Sequence, residues 1–157
     1  MSELRDEPAE ATGFLLWQVE NLWQRRQRAA LGAFDLTPVQ FLLLSGLAAA
    51  RREGEGPVKQ AALARRCRTD PMMTSQVLRV MEKAGLVERA SDVRDGRALS
   101  VGLTEAGMEL VRRAAPAVEE VERAVFAVLG ADVPAFSDAL RLLLGARPRR
   151  RIQAGTG

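Results

Sequence analysis

The stretch DPMMTSQVLRVMEKAGLVERASDVRDGRALSVGLTEAG, residues 70–107, carries most of the chain's local punctuation. Asp70 is a good N-cap, and Pro71 suits a first helical position, where a missing N–H costs nothing. Gly85, after MEKA, is a natural residue to end that helix. Within it, Val77, Leu78, Met81 and Ala84 form a stripe expected to face a core, while Met72, Ser75, Gln76, Arg79 and Lys83 recur at helical spacing on the opposite arc. LVERA, 86–90, and ALSVGLT, 98–104, are predicted strands, the second because Leu99, Val101 and Leu103 alternate with smaller or polar residues. Between them SDVRDGR is a loop with a turn-favouring Asp95-Gly96 pair, and Thr104 is placed to cap the next helix.

Working upstream, VKQAALARRC, 58–67, is predicted to be a short helix, and the link RTD then gives helix, tight turn, helix. Before the loop RREGEGP, 51–57, a helix running to about Ala50 starts at LTPVQ: Thr37 caps, Pro38 follows, Gln40 completes a capping box, and Leu36 and Phe41 suit a hydrophobic staple. Residues 9–31 form a first helix, with Leu15, Val19, Leu22 and Arg26 on one side, Leu16, Trp23 and Gln27 beside them, and Gly32 at its end. Downstream, a helix is expected over 105–129. Its stripe Val111, Ala114, Val118, Val121, Val125, Val128 has the 3-4 spacing of a seam that pairs with another helix, and Pro116 should kink it or disturb its hydrogen bonding. A last helix, 133–146, carries Phe136, Leu140 and Leu143, and 147–157 is expected to be a flexible tail.

Composition narrows the class. At 157 residues, 47% hydrophobic and 27% charged, the chain suits one soluble domain with a real core. The apolar run FLLLSGLAAA, 41–50, is too short to span a membrane, and the acidic N-terminus MSELRDEPAE leads into no signal-peptide core. One Cys and no His disfavour metal and disulfide frameworks and fit the cytoplasm. No metal ligands, cofactor motif, paired carboxylates or nucleophile–base set stand out, so no catalytic residue is assigned and an enzyme is disfavoured. The net charge is only +3, yet residues 58–98 hold nine basic side chains against five acids, a local +4 that suits a polyanion partner.

The arc Met72, Ser75, Gln76, Arg79, Lys83 offers hydroxyl, amide and guanidinium groups in a row, a chemistry that pairs with base edges in a major groove. Many solvated helix faces look the same. The loop adds to it: Arg94 and Arg97 sit at the tip, with Asp92 and Asp95 near enough to orient them, and an oriented arginine on a narrow finger fits a minor groove. A non-specific nucleic-acid binder and a helical protein–protein adaptor without DNA binding remain alternatives to a sequence-specific regulator.

LTPVQFLLLSGL, followed by ALARRCRTDPMMTSQVLRVMEKAGLVERASDVRDGRALSVGLTEAG, resembles the MarR family of transcription regulators over roughly residues 12–145, most sharply in MEKAGLVER, DVRDGR and LTEAG. The resemblance implies a mainly α fold with a small β-hairpin wing, a winged helix-turn-helix at about 37–104 flanked by dimerisation helices at about 9–36 and 105–146, all within a single domain. It implies a homodimeric repressor that binds a pseudo-palindromic operator in double-stranded DNA and is released by a small aromatic or phenolic effector. By position, Ser75 and Gln76 fall where the family's recognition helix meets bases, with Pro71, Met72, Thr74 and Arg79 beside them. Arg97 falls on the wing arginine, with Arg94 close by, and Asp95 on the acid that holds it. Gln76 replaces an arginine often found there, which leaves the operator sequence open. Cys67 stands in a slot usually apolar and is expected to be a small buried hydrophobe rather than a redox sensor. Phe14, Trp17, Trp23 and Phe41 suit an effector cleft, or equally a core or dimer contact, so no effector residues are assigned.

Overall fold

A computed structural model describes residues 11–92 and 94–146. Helix α1 (Thr12–Gly32) is followed by α2 (Pro38–Arg52), the two-residue strand β1 (Val58–Lys59), and helices α3 (Gln60–Cys67) and α4 (Pro71–Lys83). Strands β2 (Val87–Ser91) and β3 (Leu99–Leu103), helix α5 (Glu105–Phe126), a 3-10 segment (Ala127–Asp132) and α6 (Val133–Leu143) complete the order. The chain divides into two compact units with the boundary between Val121 and Glu122, inside α5.

In the first unit α2 is the central helix. Its capping box forms as expected, Thr37 Oγ1 accepting from Gln40 N–H while Gln40 Oε1 accepts from Thr37 N–H, and Leu36 and Phe41 both join the core. Leu43, Leu44, Leu47 and Ala48 of α2 are buried with Leu31 of α1, Leu63 of α3, Leu78 and Met81 of α4, Val87 and Val101 of the sheet, and Met108, Val111 and Ala114 of α5. Each fully buried leucine contributes about 1.5–3 kcal/mol. Helix α2 runs two residues past the expected end at Ala50, through Arg51 and Arg52.

The sheet is antiparallel in the order β1-β3-β2, with Val58 opposite Val101 and Lys59 opposite Ser100, and Val87 opposite Leu103 through Ser91 opposite Leu99. Residues 58 and 59 therefore belong to a strand and not to the helix predicted over 58–67, because β3 offers them an edge that lies about forty positions away in sequence. Leu86 N–H donates to Met81 C=O across the α4 terminus, where Gly85 takes φ +73, the left-handed value that favours glycine. Thr104 links the sheet to the next helix: its Oγ1 donates to Gly85 C=O at 2.7 Å and accepts from Gly107 N–H at 3.0 Å. A Cβ on Gly107 would come within 2.2 Å of the Leu86 carbonyl oxygen, so only glycine fits that contact.

The seam expected to pair two chains is partly consumed within one. Val111 and Ala114 are buried in the first unit's own core, and Val118 packs against it. The helix passes through Pro116 without interruption and stops at Phe126, three residues short of the expected end; Gly130, with φ +50 and ψ −121, breaks the segment that follows. In the second unit Phe126 and Phe136 rings meet at 6.0 Å, Asp138 pairs with Arg141, and none of its described residues is buried; Val128 is 90% exposed. The expected tail, 147–157, lies outside the described residues.

Candidate nucleic-acid interface

The turn ahead of α4 is set by hydroxyls. Arg68 ends α3 in the left-handed region, at φ 55 and ψ 38, and Thr69 N–H returns to Ala64 C=O at 3.0 Å. Asp70 then caps α4, its Oδ2 accepting from Met73 N–H at 2.8 Å, with Pro71 in the first helical position. Thr74 corrects the reading carried over from the family resemblance. It is fully buried, its Oγ1 lying 2.7 Å from Asp70 C=O and 2.7 Å from Thr69 Oγ1, so it fastens the turn and presents nothing outward. Its spacing to Val77, Leu78 and Met81 is that of the core stripe, a signal present in the sequence. Ala84 departs in the other direction: it is exposed at the helix end.

The rest of the predicted arc faces outward together. Met72 is 74% exposed, Pro71, Gln76, Arg79 and Lys83 are exposed, and Ser75 is half-buried. Helix α4 is fixed to the sheet by Arg89 of β2, whose Nε and Nη2 donate to Glu82 Oε2 at 2.9 and 2.6 Å.

In the wing the acids act through the backbone. Asp92 Oδ1 accepts from the backbone N–H of Arg94 at 2.8 Å and of Asp95 at 3.0 Å, while Oδ2 accepts from Ser100 Oγ at 2.9 Å. The Ser100 hydroxyl, then those two N–H groups, hold the Asp92 carboxyl below the usual carboxylate range. Asp95 Oδ1 accepts from Arg97 N–H at 3.3 Å, and its Oδ2 lies 3.9 Å from Lys59 Nζ on β1. Both acids therefore hold the loop's backbone rather than gripping the guanidiniums, because a carboxylate two or three residues from an N–H closes a compact turn. Gly96 does not take a positive φ, and the turn is closed by Ala98 N–H to Asp95 C=O at 2.9 Å. Arg94 and Arg97 are exposed at the tip.

Ion pairing sorts the nine basic residues of 58–98. Lys59 meets Asp95, Arg66 meets Glu53 and Glu55, and Arg89 meets Glu82. Among the described residues Arg65, Arg68, Arg79, Lys83, Arg94 and Arg97 are exposed and form no ion pair. Arg65 and Arg68 were not singled out from sequence, where they look like any solvated arginines beside Arg66. Cys67 is half-buried, its Sγ 3.7 Å from Leu42 C=O, and burial pushes its thiol up despite the opposing pull of Arg66. Among the described residues no group of His, Cys, Asp and Glu is placed to hold a metal ion, and no helix is long and apolar enough to cross a membrane.

Comparison with known proteins adds a family to this geometry. A sequence model described as MarR family matches residues 34–98, from the residues before α2 through the wing tip. The HTH-type transcriptional regulator YdcH of Bacillus subtilis is 44% identical over 120 residues, covering 76% of this chain and 81% of that one. The chain belongs to the MarR family. An HTH-type transcriptional repressor of Mycobacterium bovis is 34% identical over 120 residues, 76% of this chain and 82% of its own. In fold, this MarR-family chain is similar to Staphylococcus aureus MepR, solved as a DNA complex, with a TM-score of 0.77 at 24% identity over 86% of this chain and 97% of that one. The mainly helical body with its small antiparallel sheet is the winged helix-turn-helix of this family.

Proposed function

We propose that this MarR-family chain is a sequence-specific DNA-binding regulator that acts as a cytoplasmic homodimer, represses transcription, and is released by a small aromatic or phenolic effector. The observation that carries the reading is the exposure of both the α4 arc and the wing tip: Gln76 and Arg79 with half-buried Ser75 on the helix, and Arg94 and Arg97 free of ion pairs among the described residues. In this reading Gln76 and Ser75 meet base edges in the major groove with Pro71, Met72 and Arg79 beside them. Arg97 enters the minor groove, and Asp95 and Asp92 hold the loop that aims it. The S. aureus protein solved with DNA, and the mycobacterial relative named a repressor, support it.

Dimerisation supplies the second half-site. Two α4 helices about 34–36 Å apart enter successive major grooves on one side of the duplex. Support for a second copy comes from α1, where every residue from Ala11 to Glu20 is exposed although Phe14, Leu15, Leu16, Trp17 and Val19 are apolar. An effector that favours another spacing weakens DNA binding only by its differential affinity for the two states.

Arg97→Ala tests the reading. On the duplex protected in the chain's own promoter region, the substitution should cost about 1–3 kcal/mol of binding while the melting temperature holds. The unmodified protein should prefer that duplex to random DNA by about 10³ or more. Equal affinity for both would leave a non-specific binder, and no duplex shifted at low salt would leave the adaptor.

A further inference from the structure

Three arginines stand close together at the end of α3, and the fold treats them differently. Arg66 is occupied: its Nη2 lies 2.7 and 2.6 Å from the two carboxylate oxygens of Glu53, and its Nη1 lies 3.3 Å from Glu55. That hydrogen bonding holds the Glu53 carboxyl low and the Arg66 guanidinium high, so the charge of Arg66 is matched within the molecule. Arg65 and Arg68 have no such partner among the described residues, and both are exposed. With Ala61, Ala64, Thr69 and Pro71 they line a groove between α3 and the first residue of α4. The Thr69 hydroxyl is engaged by Thr74 and Ala64 C=O, which leaves Arg65 and Arg68 as the charged lining of the groove beside the small side chains of Ala61 and Ala64.

Arg68 adds a second observation. It occupies the left-handed region at φ 55, where a residue without Cβ is cheaper, so the chain carries a long cation at a position whose backbone favours glycine.

From these features we infer that Arg65 and Arg68 form a seat for the phosphodiester backbone of duplex DNA, separate from the base-facing arc and beside it, with Arg66 excluded. The inference rests on the DNA-binding reading above. Guanidinium groups bind phosphate oxygens by charge-assisted hydrogen bonds. Contacts of this kind fix the register of a recognition helix without reading sequence. The groove ends at Pro71, next to Met72 and Ser75, so a backbone seated there would border the major groove that takes α4.

The salt dependence of binding tests it, using the full chain with its protected duplex and a random duplex between about 50 and 200 mM salt. Arg68→Gly keeps the backbone conformation and removes the cation, Arg65→Gln removes the other, and Arg66→Gln is the internal control. Arg68→Gly and Arg65→Gln should each make the slope of log K against log salt shallower by about 0.9 per engaged subunit, hence about 1.8 for a dimer on two half-sites. Both should weaken the protected and the random duplex by the same factor. Arg66→Gln should leave the slope where it was. An unchanged slope in both variants, a loss confined to the protected duplex, or an equal change in Arg66→Gln would each overturn the inference. If the unmodified chain binds no duplex at all, the regulator reading fails first, a result distinct from these three.

Discussion

In the winged region, residues 58–103, apolar side chains such as Leu63, Leu78, Met81, Val87 and Val101 are buried, and although Met72, Met73, Val80 and Leu99 are exposed, Arg65, Arg68, Arg79, Lys83, Arg94 and Arg97 reach solvent without an ion pair among the described residues. Along the first half of α1 the opposite holds: Phe14 and Trp17 stack at 5.9 Å, Trp17 is 61% exposed, and Leu15, Leu16, Val19 and Leu22 are exposed beside them. The winged region is complete as a single chain, with unmatched charge as its outward feature. Helix α1 is incomplete, with unmatched apolar surface, and exposed patches of that kind mark association sites. On the function proposed above, the unmatched charge meets a polyanion and the unmatched hydrocarbon meets a second copy.

The comparison can be broken at three points. The largest effect is expected from Leu22→Glu on α1. If a second copy covers that face, a buried unpaired carboxylate should cost about 3–5 kcal/mol of association. Sedimentation should then show monomers with unchanged helical content, and a persisting dimer would place the interface elsewhere. Next comes Thr74→Val in the winged region, which keeps the shape and removes the hydroxyl shared by Asp70 C=O and Thr69. It should lower stability by about 1–2 kcal/mol in thermal unfolding, through the hydroxyl's lost partners, without altering the dimer. Equal stability would show that the turn needs only the shape of residue 74. The smallest effect concerns the wing alone. The Asp92 carboxyl is held below its ordinary value in the folded wing, so its contribution is present above the ordinary carboxylate range and is lost as pH falls through the lowered value. The amide protons of Arg94 and Asp95 should therefore lose protection with a midpoint below that of a free aspartate, as read by NMR. A midpoint at or above it would show that Asp92 does not hold the loop.

Most of the element order was legible because its signals are short-range. The Thr37 capping box, the Asp70-Pro71 start, Gly85 and Thr104 each act on a backbone group within a few residues, and each forms as the sequence indicates. Gln76 and Arg79 could be placed on the outer face from helical spacing alone. Thr74 could have been placed inside by that same spacing, had it weighed more than a positional likeness to the family. The roles of Asp92 and Asp95 were harder to see, since a carboxylate near both N–H groups and guanidiniums has two kinds of partner in reach, and only loop geometry chooses.

What the sequence alone determined, then, is where α2, α4 and α5 begin and where α4 ends, because caps, glycines and prolines act on neighbouring backbone. Which like residues differ in role was decided by tertiary structure. Among the described residues Arg66 is matched and Arg65 has no ion pair because Glu53 and Glu55, before β1, reach only one of them. Val58 and Lys59 became a strand because β3 lay alongside. Val111 and Ala114 were taken into the chain's own core while Val128 was left in solvent. Where a partner decides, it belongs to another part of the chain, and hydrogen bonding, charge and burial act on distance in space.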